Sequence, residues 1–305
     1  MKVLVATEKP FAAVAVDGIR QVVEQAGHEL VLLEKYTDRA DLLAAVADAD
    51  ALIVRSDKVG EDVFKAARNL KIVVRAGAGY DNIDLAAATA AGVVVENTPG
   101  QNSNAVAELV FGMTVMAARN MYAGTSGFEL KGKRLGIQAF GQVGRNVARI
   151  AEGFGMQVSA LDPYCPDDVM QQAGVHPVHS VDELYSDNLF VSIHIPATPE
   201  TIRSIGYDLI TRMPKGGVLI NTARKEVIDE AGLDKALAER SDLKYVADVR
   251  PDNAAELEQK YAGRVFFTPK KMGAQTAEAN INAGIAAANQ IVAFLHDGTD
   301  RFRVN

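Results

Sequence analysis

Along the first hundred residues, short apolar runs alternate with stretches in which apolar residues recur every three or four positions. The runs are KVLVAT, ELVLLE, ALIVRS, KIVVRAG and VVVEN, and the spacing between them predicts helices near Ala12–Ala26, Arg39–Ala47, Glu61–Ala67 and Leu85–Ala91. Such alternation implies a parallel sheet covered by helices on both faces. A turn cluster, Asn97-Thr98-Pro99-Gly100, interrupts it. A long helix, about Asn104 to Met121, then carries Val106, Leu109, Val110, Met113, Val115 and Met116 on more than one face, which predicts burial between domains or subunits. A second series follows: a strand from Leu135, a helix, a strand at Gln157–Leu161, NLFVSIHIP, a helix near Tyr207–Arg212, GGVLINTA, a helix near Ala231–Glu239, KYVADV and RVFFTP. The series predicts five or six strands in a second sheet. An alanine-rich helix, Ala277 to Leu295, closes the chain and is expected to pack back on the first domain. The expected fold is α/β with two doubly wound parallel-sheet domains, 1–99 plus 280–305 and 100–279.

Composition narrows the partners. With 305 residues and 48% hydrophobic content, the chain has enough apolar material for two moderate cores. A net charge of −7 without a basic run argues against nucleic acid as the main partner, although a local arginine cluster can still attract a small anionic substrate. The single cysteine, Cys165, excludes an intramolecular disulfide and suits a reducing cytoplasm. No stretch approaches the ~18 apolar residues of a membrane span and no leader pattern opens the chain, so a soluble cytoplasmic protein is expected.

The stretch Leu135–Tyr164 is the first with readable chemistry. A strand, a turn with Gly141 and Gly144, a helix, and a second strand ending at Asp162 form the order of a Rossmann-type dinucleotide-binding unit. The glycines let backbone amides at a helix N-terminus approach a pyrophosphate. Ala139 stands where the first glycine of G-x-G-x-x-G would be; a methyl group there is expected to narrow the turn and weaken binding modestly. Asp162 accepts ribose hydroxyls and repels a 2′-phosphate, and Pro163 and Tyr164 add no positive charge, so NAD is favoured over NADP.

Four further stretches carry a resemblance. VRAGAGYDNIDLAAA (74–88), NTPGQNSNAVAEL (97–109), SIHIPATPET (192–201) and LINTARKEVIDE (219–230) resemble motifs of the D-2-hydroxyacid dehydrogenases in this order. Within that family the chain is most similar to short forms of D-3-phosphoglycerate dehydrogenase. The resemblance implies a flavodoxin-like substrate domain beside the nucleotide domain, and hydride transfer between D-3-phosphoglycerate and 3-phosphohydroxypyruvate at the start of serine synthesis. It also implies a homodimer through the nucleotide domain, which the helix at 104–121 suits. Arg224, on a loop after an apolar strand, is assigned the substrate carboxylate. The implied cofactor contacts are Phe140, Gly141, Gln142, Val143, Gly144, Asp162, Pro163, His194, Pro196, Thr201, Thr222, Ala223, Asp248 and Gly273.

Two catalytic positions depart from the family pattern. Where a histidine usually stands before an apolar-Gly-Ala-x-Thr run, counting back from Gly273 gives Lys271 and counting forward from Pro269 gives Lys270; the Gly-Ala side fixes the register more firmly and favours Lys271. The family glutamate, five residues after the aspartate of Asp248-Val249, is replaced by Asn253, with Asp252 as a candidate substitute. A protonated lysine can supply the proton for keto-acid reduction without a carboxylate partner, whereas in oxidation it must act as a neutral base, its pKa lowered by Arg224 and burial. This pair of exchanges resembles a lysine-type branch of the short phosphoglycerate dehydrogenases.

Arg55, Ser56 and Lys58 after the third strand, and Arg75 after the fourth, fall on one sheet edge and suit a substrate phosphate; pairing of the arginines with Asp57 or Asp81 is the alternative. Ala76-Gly77-Ala78-Gly79 offers backbone amides to the carboxylate, through Gly77 and Ala78. The two domains are expected to meet around NAD and the substrate. With the chain stopping near 305, no carboxyl-terminal serine-sensing domain and no serine feedback are expected. His28, His176, His179 and His296 read as surface residues and no metal site is expected. The competing functions are a glyoxylate or hydroxypyruvate reductase and a non-catalytic, NAD-responsive corepressor-like protein.

Overall fold

The structure, a computed structural model, describes all 305 residues. They fall into two compact units, Met1–Asn102 with Gln275–Asn305, and Ser103–Ala274.

The first unit alternates β1 (Lys2–Thr7), α1 (Ala13–Gln25), β2 (Glu29–Glu34), α2 (Arg39–Val46), β3 (Ala51–Val54), α3 (Glu61–Ala66), β4 (Ile72–Arg75), α4 (Leu85–Ala90) and β5 (Val94–Asn97). The strands form a parallel sheet in the order β2-β1-β3-β4-β5. Successive side chains leave a strand on opposite faces, so each run feeds two cores. Val3, Val5, Ile53, Ile72 and Val74 face α1 and the chain's last helix, whereas Leu4, Ala6, Leu52, Val54, Val73 and Val95 face the other helices. Asp38 and Asp84 start α2 and α4 by accepting the amides of Ala40 and Ala87. The last helix, Ala277–Asp297, lies on α1 through small residues, with a Cβ at Gly18 falling 2.7 Å from Ile285.

The second unit begins with α5 (Ser103–Ala118) and continues β6 (Arg134–Gln138), α6 (Gln142–Gly153), β7 (Gln157–Leu161), α7 (Asp167–Gln172), β8 (His176–Pro177), α8 (Val181–Asp187), β9 (Phe190–Ile193), α9 (Tyr207–Arg212), β10 (Val218–Asn221), α10 (Glu230–Glu239), β11 (Lys244–Ala247), α11 (Ala254–Lys260) and β12 (Val265–Phe267). The last helix of the chain is therefore α12. This sheet is parallel throughout and has seven strands, β12-β11-β10-β9-β6-β7-β8, not the five or six expected. The additional edge strand, β8, is two residues long and has no apolar run to announce it. The order reverses between β9 and β6, and ligands of open α/β sheets bind beyond the strand ends at such a point.

The first helix of this unit is shorter than expected. It ends at Ala118 because Asn120, Met121 and Tyr122 all take positive φ (51°, 54°, 57°), and Lys244 Nζ caps it with 2.7 Å bonds to Ala117 O and Asn120 Oδ1. Within its own unit α5 packs against α6, β10 and β11, while Val106, Leu109, Val115 and Met116 stay partly exposed. No helix is long and apolar enough to cross a membrane.

Candidate active site

The turn from β6 to α6 is built around three small residues with different tasks. Ala139 adopts φ 80°, a left-handed conformation that costs an L-residue about 1 kcal/mol or more, so the missing glycine strains the turn. Gly144 permits helix and strand to touch: a Cβ there would stand 2.4 Å from Ala139 O. Gly141 is the N-cap of α6 without a capping side chain, and a Cβ on it would meet no protein atom within 4 Å. The helix N-terminus, continuing through Gln142 and Val143, thus presents its amides to open space. Asp162, at the end of β7, accepts from Phe140 N (2.8 Å) and Tyr164 N (2.9 Å), which fixes its carboxylate against the turn. Each oxygen keeps acceptor capacity for a ribose hydroxyl. Pro163 and Tyr164 beside it are exposed.

Farther along the same edge, His194 follows β9, half-buried and with its ring within 2.9 Å of Ser192 Oγ. Burial pushes its pKa down to about 3, so the ring is neutral at physiological pH. Thr201 closes a turn by donating to Pro196 O (2.6 Å) and accepting from Thr198 N (2.7 Å). Thr222 Oγ1, just past β10, is buried without a protein partner. An amide-rich helix start left open, a carboxylate at the neighbouring strand end and an unmatched buried hydroxyl together form a donor and acceptor set that fits NAD.

Arg224 and Lys271 converge. Arg224 Nη1 donates to Ala223 O at 3.0 Å and Lys271 Nζ reaches the same oxygen at 3.5 Å. The loop carrying Lys271 is held by Asp248, a buried carboxylate that accepts from Thr268 Oγ1 (2.8 Å), Met272 N (2.6 Å) and Gly273 N (2.8 Å). Gly273 is tight as well, since a Cβ would lie 3.0 Å from Asp248 Oδ2. Lys270 is exposed. Asp252, the candidate substitute for the glutamate, is 77% exposed at its side chain and pairs with Lys225 Nζ at 2.5 Å, so its carboxylate is directed to a different lysine. Asn253 Oδ1 is buried and unpartnered.

In the first unit, Arg55 and Arg75 are neighbours: Arg75 Nε donates to Arg55 O at 2.9 Å. Arg55 is more engaged than its sequence context suggests. Its guanidinium lies 5.1 Å from the Phe11 ring and donates to Lys9 O (3.0 Å), Pro10 O (3.1 Å) and Asn280 Oδ1 (2.6 Å). Asp57 is buried and accepts from Glu8 N, Tyr36 OH and Arg55 N. Ser56 and Lys58 are exposed. Asn97 Nδ2 donates to Ala78 O at 2.6 Å and Thr98 N to Gly77 O at 3.0 Å, which fixes the 76–79 loop.

Three further residues, Asn221, Asn280 and Phe11, also shape these loops. Asn221 had a signal, an Asx residue at the end of an apolar strand before a loop. Asn280 had none, because it lies 225 residues from Arg55 along the chain.

The profile of the D-isomer specific 2-hydroxyacid dehydrogenase NAD-binding domain matches residues 104–269. The chain belongs to this family. It is 38% identical over 268 residues to D-3-phosphoglycerate dehydrogenase of Methanocaldococcus jannaschii, covering 83% of this chain and 51% of that protein. It is 35% identical over 286 residues to hydroxypyruvate reductase of Thermotoga maritima, covering 86% and 90%. The chain thus spans about half the length of the archaeal relative and most of the bacterial one. Among solved structures it is similar to NAD+-bound 3-phosphoglycerate dehydrogenase of Entamoeba histolytica, with 48% identity, a TM-score of 0.89 and coverage of 100% and 98%.

Proposed function

We propose that the protein is an NAD-dependent D-3-phosphoglycerate dehydrogenase that interconverts D-3-phosphoglycerate and 3-phosphohydroxypyruvate. The observation that carries this reading is the convergence of Arg224 and Lys271 on one carbonyl oxygen in a unit whose Gly141 turn fits NAD. A guanidinium holds a 2-keto acid by its carboxylate, and an ammonium beside it meets the adjacent ketone oxygen. When bound, NADH supplies the hydride. Lys271 gives its proton to the oxygen as the ketone carbon accepts that hydride, and the neutral amine regains a proton from solvent. In the opposite direction the same amine takes the hydroxyl proton. Arg75, at the end of β4, is the leading phosphate ligand in this reading, and the Gly77–Ala78 backbone binds the carboxylate. Relatives of the same name at 36–38% identity support it. A homodimer through the NAD-binding unit and a cytoplasmic location complete the proposal, supported by exposed Tyr122 and Phe154 on that unit and by a single free cysteine.

A hydroxypyruvate or glyoxylate reductase is the second reading. It is favoured by the engagement of Arg55 with Lys9, Pro10 and Asn280, which leaves less of that guanidinium for a phosphate. NADH consumption with 3-phosphohydroxypyruvate, hydroxypyruvate, glyoxylate and pyruvate separates the two. Arg75→Ala is expected to raise KM for the phosphorylated acid at least tenfold more than for glyoxylate; equal increases would remove the phosphate assignment.

A further inference from the structure

Lysine in place of histidine, with an amide where the glutamate would stand, raises a geometric question: what aims the acid/base. A lysine ammonium sits on a flexible four-carbon stem, so its tip needs a fixed reference. Asn221 is the fully buried last residue of β10. Its Oδ1 accepts from Ala223 N at 2.9 Å and its Nδ2 donates to Arg224 O at 2.9 Å, so the amide pins the peptide groups on both sides of the Ala223–Arg224 peptide. Tyr245 OH lies 3.4 Å from the same Nδ2, on a buried ring that packs edge-on to Phe267. The peptide so clamped carries Ala223 O, the oxygen reached by both Arg224 Nη1 and Lys271 Nζ. Across from it, Asp248 secures the backbone after Lys271.

We propose that the Ala223 carbonyl, held in direction by Asn221, aims the Lys271 ammonium, and that Asn221 is therefore a positioning residue for proton transfer. The inference rests on the reading of Lys271 as the acid/base. A neutral carbonyl orients an ammonium by a hydrogen bond without neutralising its charge, which suits a group that must both give and take a proton. Because Arg224 uses the same oxygen, the proton donor and the carboxylate ligand share one origin. Their spacing survives movements of the loop as a whole.

The test uses the full chain and whichever 2-keto acid the wild type reduces with NADH. Asn221→Ala is expected to lower kcat at least tenfold, with KM for NADH and NAD affinity by calorimetry within twofold of wild type. The rising limb of the pH profile for alcohol oxidation should be displaced with it. In the ligand-free protein, the Lys271 13Cε titration should move by about half a pH unit or more, a change in hydrogen bonding that a purely structural role would not produce. A folded variant with unchanged kcat, pH limb and titration overturns the proposal. If Asn221→Ala does not fold, near-isosteric Asn221→Asp decides. Its carboxylate still accepts from Ala223 N but repels Arg224 O, so it should lose kcat and shift the limb upward, and wild-type values for both would overturn the proposal. Lys271→Ala keeps the two levels apart. If it retains turnover, the acid/base reading fails; if it abolishes turnover while both Asn221 variants behave as wild type, only the positioning role fails.

Discussion

Lys270 and Lys271 are adjacent and chemically identical, yet their surroundings differ. Both are exposed, but Lys271 reaches the Ala223 carbonyl beside Arg224. Lys271→Ala is therefore expected to reduce kcat by about 10²-fold or more, the usual scale of a lost general acid, and Lys270→Ala to leave it within a factor of two; steady-state rates with NADH check both. The register that favours Lys271 rests on Gly273 and Ala274, which lead toward a helix. The conformation of Ala139 was not legible in the sequence. A single letter does not disclose φ, and only the completed turn shows the residue at 80°. Asp252 was misleading for a related reason: proximity along the chain said nothing of Lys225, its partner across two loops.

Among the elements, the β6–α6 turn separates what glycine does for the protein from what it does for a ligand. Gly144→Ala drives a methyl into Ala139 O and is expected to destabilise by about 1–3 kcal/mol, read from urea unfolding. Gly141→Ala meets only open space, so its stability should stay near wild type while NAD affinity falls severalfold by calorimetry. Elements were legible wherever a strand is buried on both faces, since burial forces a continuous apolar run, as in ALIV of β3. The short helices α7, α8 and α11, six or seven residues each, have too few turns to establish a period. The edge strand β8 is held by its register with Ser159 and Ala160, a long-range pairing no local pattern encodes.

At the scale of the molecule, the sequence conveyed two parallel sheets because βαβ alternation leaves few other topologies. The return of α12 to the first unit was legible from its alanine content, which suits close packing on α1. Less visible was Glu96, a buried carboxyl on β5. It accepts from Phe302 N at 2.9 Å through Oε1, while Oε2 is buried without a partner. Burial raises its pKa above the ordinary 4.5. A raised folded-state pKa means that the group's contribution to stability is fully present below 4.5 and is lost as pH rises through the folded value. Glu96→Gln keeps the acceptor and removes the titration, so its Tm should exceed that of wild type at pH 7 and approach it at pH 4, measured by calorimetric scans.

Gly77 belongs to this larger account. Its φ is 149°, and a Cβ there would fall 1.4 Å from Arg75 Nη1, so the arginine occupies the volume that any other residue at 77 would claim. The two codons are in effect one genetic unit. In a library of random mutants, lesions at position 77 should fall into the same phenotypic class as lesions at position 75, although only the latter remove a charge.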